Sequence, residues 1–216
     1  MQAALPADLA ALDFYTAPQD KVPAGIDGEA DSVVSAGVCL GELRDNLSQW
    51  DGFIVACFSH HSLTGALREL TTAPVISILE APLLLAASIG ARVGILTTGN
   101  RWVPLLEHGI HTLHLDGLCK AGVVASGMSA EDLHNLPHKE VLDRLEKLAR
   151  EELQEKRQAD VIVLGCAGMT GLEDAIRKSC QKGMVVLDPV RCGLELCTSL
   201  LRMGVGTSKL GMYAPA

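Results

Sequence analysis

An α/β architecture with parallel strands follows from three features of the sequence. Apolar residues make up 48% of the 216-residue chain and aromatic residues only 3%, so the core is built from Leu, Val, Ile and Ala, a mix suited to buried parallel strands under helices. Short apolar runs alternate with helix-length segments, which implies right-handed crossovers in a doubly wound sheet. The third feature is a repeat. Asp51-Gly-Phe-Ile-Val-Ala-Cys57 and Asp160-Val-Ile-Val-Leu-Gly-Cys166 each carry an acid, an apolar run and a cysteine six positions after the acid. The agreement continues through Leu63 and Leu172, Ala66 and Ala175, Leu67 and Ile176, and Arg68 and Arg177. Each copy then reaches a second apolar run ending in an acid, Glu80 or Asp188, with the register slipped by about one residue. An internally duplicated strand-helix-strand unit predicts two doubly wound parallel-sheet lobes related by a pseudo-two-fold axis. If the halves face each other, Cys57 and Cys166 look at one ligand from opposite sides.

Taken in order, residues 1–32 are weakly patterned, and only residues 11–16 read as a strand, followed by a loop rich in Pro and Gly. Val33, Val34, Val38, Leu40, Leu43 and Leu47 have helical spacing, so a helix over 32–48 leads into the first cysteine strand. After Cys57 come a turn, a helix over 63–70 and a strand over 75–79. Pro82 suits the first turn of a helix that ends at Gly90. Residues 92–98 form a buried strand ending in Thr97 and Thr98. Residues 102–108 form a short helix stopped by Gly109, residues 111–115 a strand, and the Gly-rich stretch 116–128 a loop. One long helix over 137–158 has an apolar face of Val141, Leu142, Leu145, Leu148, Ala149 and Leu153. Its opposite face, dense in Glu, Lys and Arg, is a solvated surface. The second cysteine strand, a helix over 172–180, a strand over 185–187 and a final helix over 190–203 complete the chain.

The net charge of -8 with no basic cluster argues against nucleic acid and anionic membranes as partners. Seven cysteines without repeating spacing do not form a disulfide framework, and a reducing, cytosolic compartment is expected. No stretch reaches membrane-spanning length and no leader pattern opens the chain, so a soluble protein is expected.

In such sheets ligands bind beyond the carboxyl ends of the strands, where both cysteines fall. Gly165, Gly168 and Gly171 flank Cys166, and they are expected to let backbone approach a ligand and leave N–H donors free. A thiol at a helix N-terminus is expected to have a lowered pKa. Two opposed sulfurs suit the removal of a proton from one face of a carbon acid and its return from the other, with no metal or organic cofactor. Cys57, His60 and His61 can in principle ligate zinc, but spacing supplies no fourth ligand. Cys39, Cys119, Cys180, Cys192 and Cys197 read as structural. The remaining histidines, His108, His111, His114, His134 and His138, read as surface or partly buried groups. Thr97 and Thr98 can hold a carbonyl or cap a helix, and Glu80 and Asp188 can orient loops as readily as touch ligand.

Cys57-Phe-Ser after its apolar strand, Leu164-Gly-Cys-Ala-Gly-Met169, Glu80 after Val-Ile-Ser-Ile-Leu, and Thr97-Thr98 together resemble the hydantoin racemase branch of the aspartate/glutamate racemase superfamily, which includes allantoin racemases and fungal proteins tied to nitrogen use. The resemblance spans roughly residues 11–203. It implies two lobes, residues 1–81 with 190–216 and residues 82–189, and an active site between them. It also implies Cys57 and Cys166 as the acid/base pair and a small-molecule substrate, a 5-substituted hydantoin or an allantoin-like ureide. Candidate substrate contacts are Phe58, Ser59, His60, Glu80, Thr97, Thr98, Ala167, Gly168 and Met169. A homo-oligomer is a further implication. Sister enzymes that isomerise maleate or decarboxylate malonates are the alternative reactions, and an inactive ligand-binding relative is the non-enzymatic one. Nothing here matches the family's opening strand and Asn-Pro-Asn type loop. The first lobe is therefore expected to lack a central strand, for which Met1–Ala11 is a poor substitute. His60 stands where the family usually has Asp, and a histidine there is expected to stabilise the Cys57 thiolate.

Overall fold

The structure, a computed structural model, describes residues 10–215. Its strands form two parallel sheets. One has two strands, β1 (Phe53–Val55) and β2 (Val75–Ser77). The other has four, β3 (Val93–Thr97), β4 (Gly122–Ala125), β5 (Val161–Gly165) and β6 (Val185–Leu187), in the order β4-β3-β5-β6. Every residue of β3 and β5 is buried, as expected of central strands covered on both faces. The chain winds from β3 outward to β4 and then back across to β5 on the other side. The carboxyl ends of β3 and β5 therefore flank the point where the winding reverses, the place where open α/β sheets bind ligands.

The described residues form eight α-helices, of which α2 to α7 connect successive strands: α1 (Glu29–Leu43), α2 (Ser62–Leu70), α3 (Glu80–Ala86), α4 (Trp102–Thr112), α5 (Asp132–Asn135), α6 (His138–Lys147), α7 (Glu173–Ser179) and α8 (Pro189–Arg202). From Leu148 to Lys156, α6 continues as a wider π-helical segment, so the long helix read from its apolar face is one rod with a change of pitch. Its apolar stripe, Val141, Leu145, Ala149 and Leu153, is buried against Ile162 and Leu164 of β5. On the other face of that sheet a second cluster joins Ile95 and Val163 to Ile78, Leu79 and Leu83, coupling α3 to β3 and β5. The last helix, α8, buries Cys192 and Cys197 against Ile76 and Ile54 of the small sheet. Asp188 caps it by accepting from the N–H groups of Val190 and Arg191 at 2.8 and 2.9 Å, with Pro189 at the first helical position.

The duplicated unit is visible element by element, as β1, α2 and β2 recur as β5, α7 and β6. Four sequence expectations need correction. Residues 11–16 are not a strand; the segment is held by side chains, with Trp50 Nε1 donating to Asp13 and Tyr15 donating to Glu42. Gly109 does not stop α4, which runs through it to Thr112. A Cβ there would stand 3.1 Å from the His60 Cβ, so the glycine lets α4 approach the loop after Cys57. Residues 111–115 are therefore a helix end and turn, with His114 at φ 57°, and not a strand. The stretch 116–128 contains β4, whose pairing with β3 is a long-range contact that its two valines alone did not signal.

Candidate active site

Cys57 and Cys166 each sit just past the carboxyl end of a strand, β1 and β5, and both are partly buried free thiols. Burial pushes the Cys57 thiol up to about 11; the Ser59 hydroxyl, 3.2 Å from its sulfur, pulls the other way, and the charge of Cys166 raises it further. Burial also raises the Cys166 thiol, opposed by the Gly168 N–H, which donates to its sulfur at 3.4 Å.

The expected lowering of the thiol pKa by a helix N-terminus is therefore reversed. The helix after Cys57 starts only at Ser62 and is capped by the His61 ring, which accepts from Leu63 N–H at 3.3 Å. Cys166 precedes only a single 3-10 turn, Ala167–Met169, too short to build an effective dipole. Desolvation then dominates, and both sulfurs rest as neutral thiols at neutral pH. His60 is exposed, and it is the Ser59 hydroxyl that lies against the Cys57 sulfur.

The other candidate contacts divide into groups. Ser59 is buried beside the Cys57 sulfur. Thr97 spends its hydroxyl on the Gly165 carbonyl at 2.9 Å, tying the end of β3 to the residue before Cys166. Thr98 is buried with its carbonyl accepting from Ser126 Oγ and from Gly127 N–H, while its own hydroxyl bonds to no other described residue. Gly168 and Ala167 stand beside the Cys166 sulfur and remain partly accessible. Phe58 and Met169 are different: both are core residues, Phe58 packed with Ile78 and Val163, Met169 with Leu164 and Ile176. Glu80 is also withdrawn, since both its carboxylate oxygens accept from the Arg68 guanidinium, which in addition binds the Val75 carbonyl.

Gly165 has a structural use in place of the expected ligand approach. A Cβ there would lie 2.9 Å from Thr97 Cβ and 3.0 Å from the Leu96 carbonyl oxygen, so the glycine lets β5 close on β3. Gly165→Ala is expected to cost about 2 kcal/mol by overpacking, read as a lowered midpoint in urea unfolding.

The sequence left Asp188 free to orient a loop, which is the role it has here, whereas the placement of His134 escaped that reading. Asp188 accepts from Gly171 N–H at 3.1 Å and from the Thr170 hydroxyl at 3.4 Å, so the cap of α8 also fixes the loop behind Cys166. The short helix α5 lies over that loop: a Cβ on Gly168 would stand 3.6 Å from both the Cys166 sulfur and His134 Nε2. His134 carried no signal, because α5 has four residues and reaches the site only through the fold. Among the described residues no cluster of three or more His, Cys, Asp or Glu can hold a metal ion, and no helix is long and apolar enough to cross a membrane.

The chain belongs to the Asp/Glu/Hydantoin racemase family, whose model matches residues 1–197. It is 34% identical to the hydantoin racemase of Rhizobium meliloti over 196 residues, 89% of this chain and 78% of that one. An uncharacterised protein of Schizosaccharomyces pombe is 37% identical over 202 residues, 94% of this chain and 84% of its own length. Among solved structures, the allantoin racemase from Pseudomonas fluorescens superposes with a TM-score of 0.79 at 31% identity, covering 90% of this chain and 80% of that one.

Proposed function

We propose that this chain racemises 5-substituted hydantoins or related ureides such as allantoin, without a cofactor, using Cys57 and Cys166 as opposed base and acid. The observation that carries the reading is the pair of partly buried strand-end thiols, one on each copy of the duplicated unit, just past β1 and β5. Residues 1–81 with 190–216, and residues 82–189, would form the two lobes enclosing the substrate. A homo-oligomer in the cytosol is part of the same reading.

In one direction the Cys166 thiolate takes the proton from the ring carbon that bears the side chain. The electron pair passes into the adjacent carbonyl as an enolate, and the Cys57 thiol returns a proton to the opposite face. Cys166 ends as thiol and Cys57 as thiolate, and the other enantiomer runs the steps in reverse. The Gly168 N–H favours the Cys166 thiolate, while Ser59 serves Cys57 in the same way. The Thr98 hydroxyl is placed in this reading to donate to the enolate oxygen. An opposed second thiol also favours racemisation over decarboxylation, which needs only one proton donor.

The test is proton NMR and polarimetry of single-enantiomer allantoin and of a 5-alkyl hydantoin in deuterium oxide, against an enzyme-free control. Loss of the ring C–H signal with loss of rotation is expected, and no change above background sinks the reading. Because burial raises both thiols, only a small fraction carries the thiolate at neutral pH. The expected kcat/KM therefore climbs with pH by up to about tenfold per unit, then falls once the second thiol ionises near the alkaline limit. A pH-rate profile that is flat from neutral to alkaline pH contradicts the assignment of thiols as the titrating pair.

A further inference from the structure

A reaction run by two opposed thiols leaves the protein in a changed state. Once Cys166 has taken a proton and Cys57 has given one, the pair must be reset before the next molecule of the same enantiomer can react. A proton has to leave the Cys166 thiol, and another has to reach the Cys57 thiolate. Burial raises the Cys166 thiol, so handing its proton directly to water is uphill.

The fold brings a proton acceptor to that thiol. The turn that opens α5 is held by reciprocal bonds, Ser129 N–H to the Asp132 carboxylate at 2.7 Å and Asp132 N–H to the Ser129 hydroxyl at 3.0 Å. Leu133 and Leu136 rest on the apolar cluster that Cys166 also borders, while His134 stays exposed. Its Nε2 and the Cys166 sulfur each lie 3.6 Å from the point that a Gly168 Cβ would occupy, so they can be no further apart than twice that distance. A bridging water or rotation of the exposed ring closes such a span. Gly168 has no side chain to part them. Among the described residues neither ring nitrogen of His134 has a hydrogen-bond partner, whereas His61 spends Nδ1 on Leu63 N–H and His111 faces Asp116 at 3.2 Å. Imidazole is the side chain suited to take up and release a proton near neutral pH.

We propose, resting on the racemase reading above, that His134 is the proton relay that resets Cys166 between turnovers. It positions a proton at the sulfur and does not touch the substrate. In the reset the Cys166 S–H bond breaks as Nε2 of the neutral imidazole takes the proton, and the sulfur keeps the electron pair. The imidazolium then passes the proton to water from its exposed side. The Cys57 thiolate takes a proton from water, so the pair regains one thiolate and one thiol with no net change in protons. For the other enantiomer the relay runs inward, and the imidazolium protonates the Cys166 thiolate while the Cys57 thiol loses its proton to water.

The test is steady-state racemisation, followed by polarimetry from low to saturating substrate, with the full chain carrying His134→Ala, His134→Gln or, as a control on the same surface, His138→Ala. None of α5 is buried, so the changes at His134 are expected to leave the chain folded. Reset follows the chemistry and limits the rate only at saturation. The alanine and glutamine variants are therefore expected to lose about tenfold in kcat with kcat/KM held within about twofold. Imidazole at about 50 mM is expected to restore at least half of the rate lost by the alanine variant. His138→Ala is expected to match the unaltered chain. A fall in kcat/KM that imidazole does not rescue would make His134 a support of the loop, and a glutamine variant as active as histidine would make it a hydrogen-bonding group. Either overturns the relay, as does an alanine variant with unaltered kcat. In those cases the unaltered chain still racemises, whereas a chain that racemises neither allantoin nor a 5-alkyl hydantoin removes the reaction and the relay with it.

Discussion

Replacing Cys166 with Ser is expected to lower racemisation by about a thousandfold in both directions, because a serine hydroxyl is too weak an acid to cycle through its anion near neutral pH. Cys57→Ser is expected to do the same. The informative part is what survives. With Cys57 intact, Cys166→Ser leaves one base on one face, so the enantiomer whose proton faces Cys57 can still exchange that proton for deuterium and recover its own configuration. Exchange without inversion, seen for opposite enantiomers in the two variants, is the signature of two opposed bases. Circular dichroism should be unchanged in both, since neither sulfur is a large part of the core. A variant that still inverts at the original rate removes its cysteine from the mechanism.

Asp188→Ala is expected to be the most damaging single change to stability near the site. The carboxylate is buried and accepts from Val190, Arg191 and Gly171 N–H groups and from the Thr170 hydroxyl. Removing it takes away the cap of α8 and leaves buried donors without partners, costing about 3 kcal/mol or more. For a chain of this size that is a fall of roughly 9 °C in Tm by differential scanning calorimetry. Asp188→Asn keeps an acceptor and should recover about half of the loss. Because the same carboxylate fixes residues 170 and 171, the alanine variant should also lose racemase activity below its unfolding temperature. A melting temperature within about 2 °C of the unaltered chain refutes the role of Asp188 as a junction.

The duplicated motif was enough to find both cysteines, because acid, apolar run and thiol keep fixed spacing within each copy. Long runs were equally legible: β3, β5, α6 and α8 are set by apolar runs and periodicity, which are local signals. What misled was chemistry that depends on surroundings. Cys166 looked like an activated thiol from its glycines and expected helix, and it is a raised one because desolvation, a property of the folded interior, outweighs one N–H. Glu80 looked available until Arg68, twelve residues earlier, took both its oxygens. Phe58 and Met169 look like site residues by adjacency, yet a side chain next to a catalytic position can point into the core as easily as into a cleft.

The sequence by itself determined the class of fold, the duplication, the two thiols and the family they indicate, since each rests on spacing within about a dozen residues. Only the tertiary structure decided that β4 exists, that residues 11–16 pair with no strand among the described residues, that His134 and Asp188 reach the Cys166 loop, and that β1 pairs with β2 alone among those residues. Those are questions of which distant segment arrives beside which. Pairing energy and desolvation are set by that neighbour, and no local pattern names it.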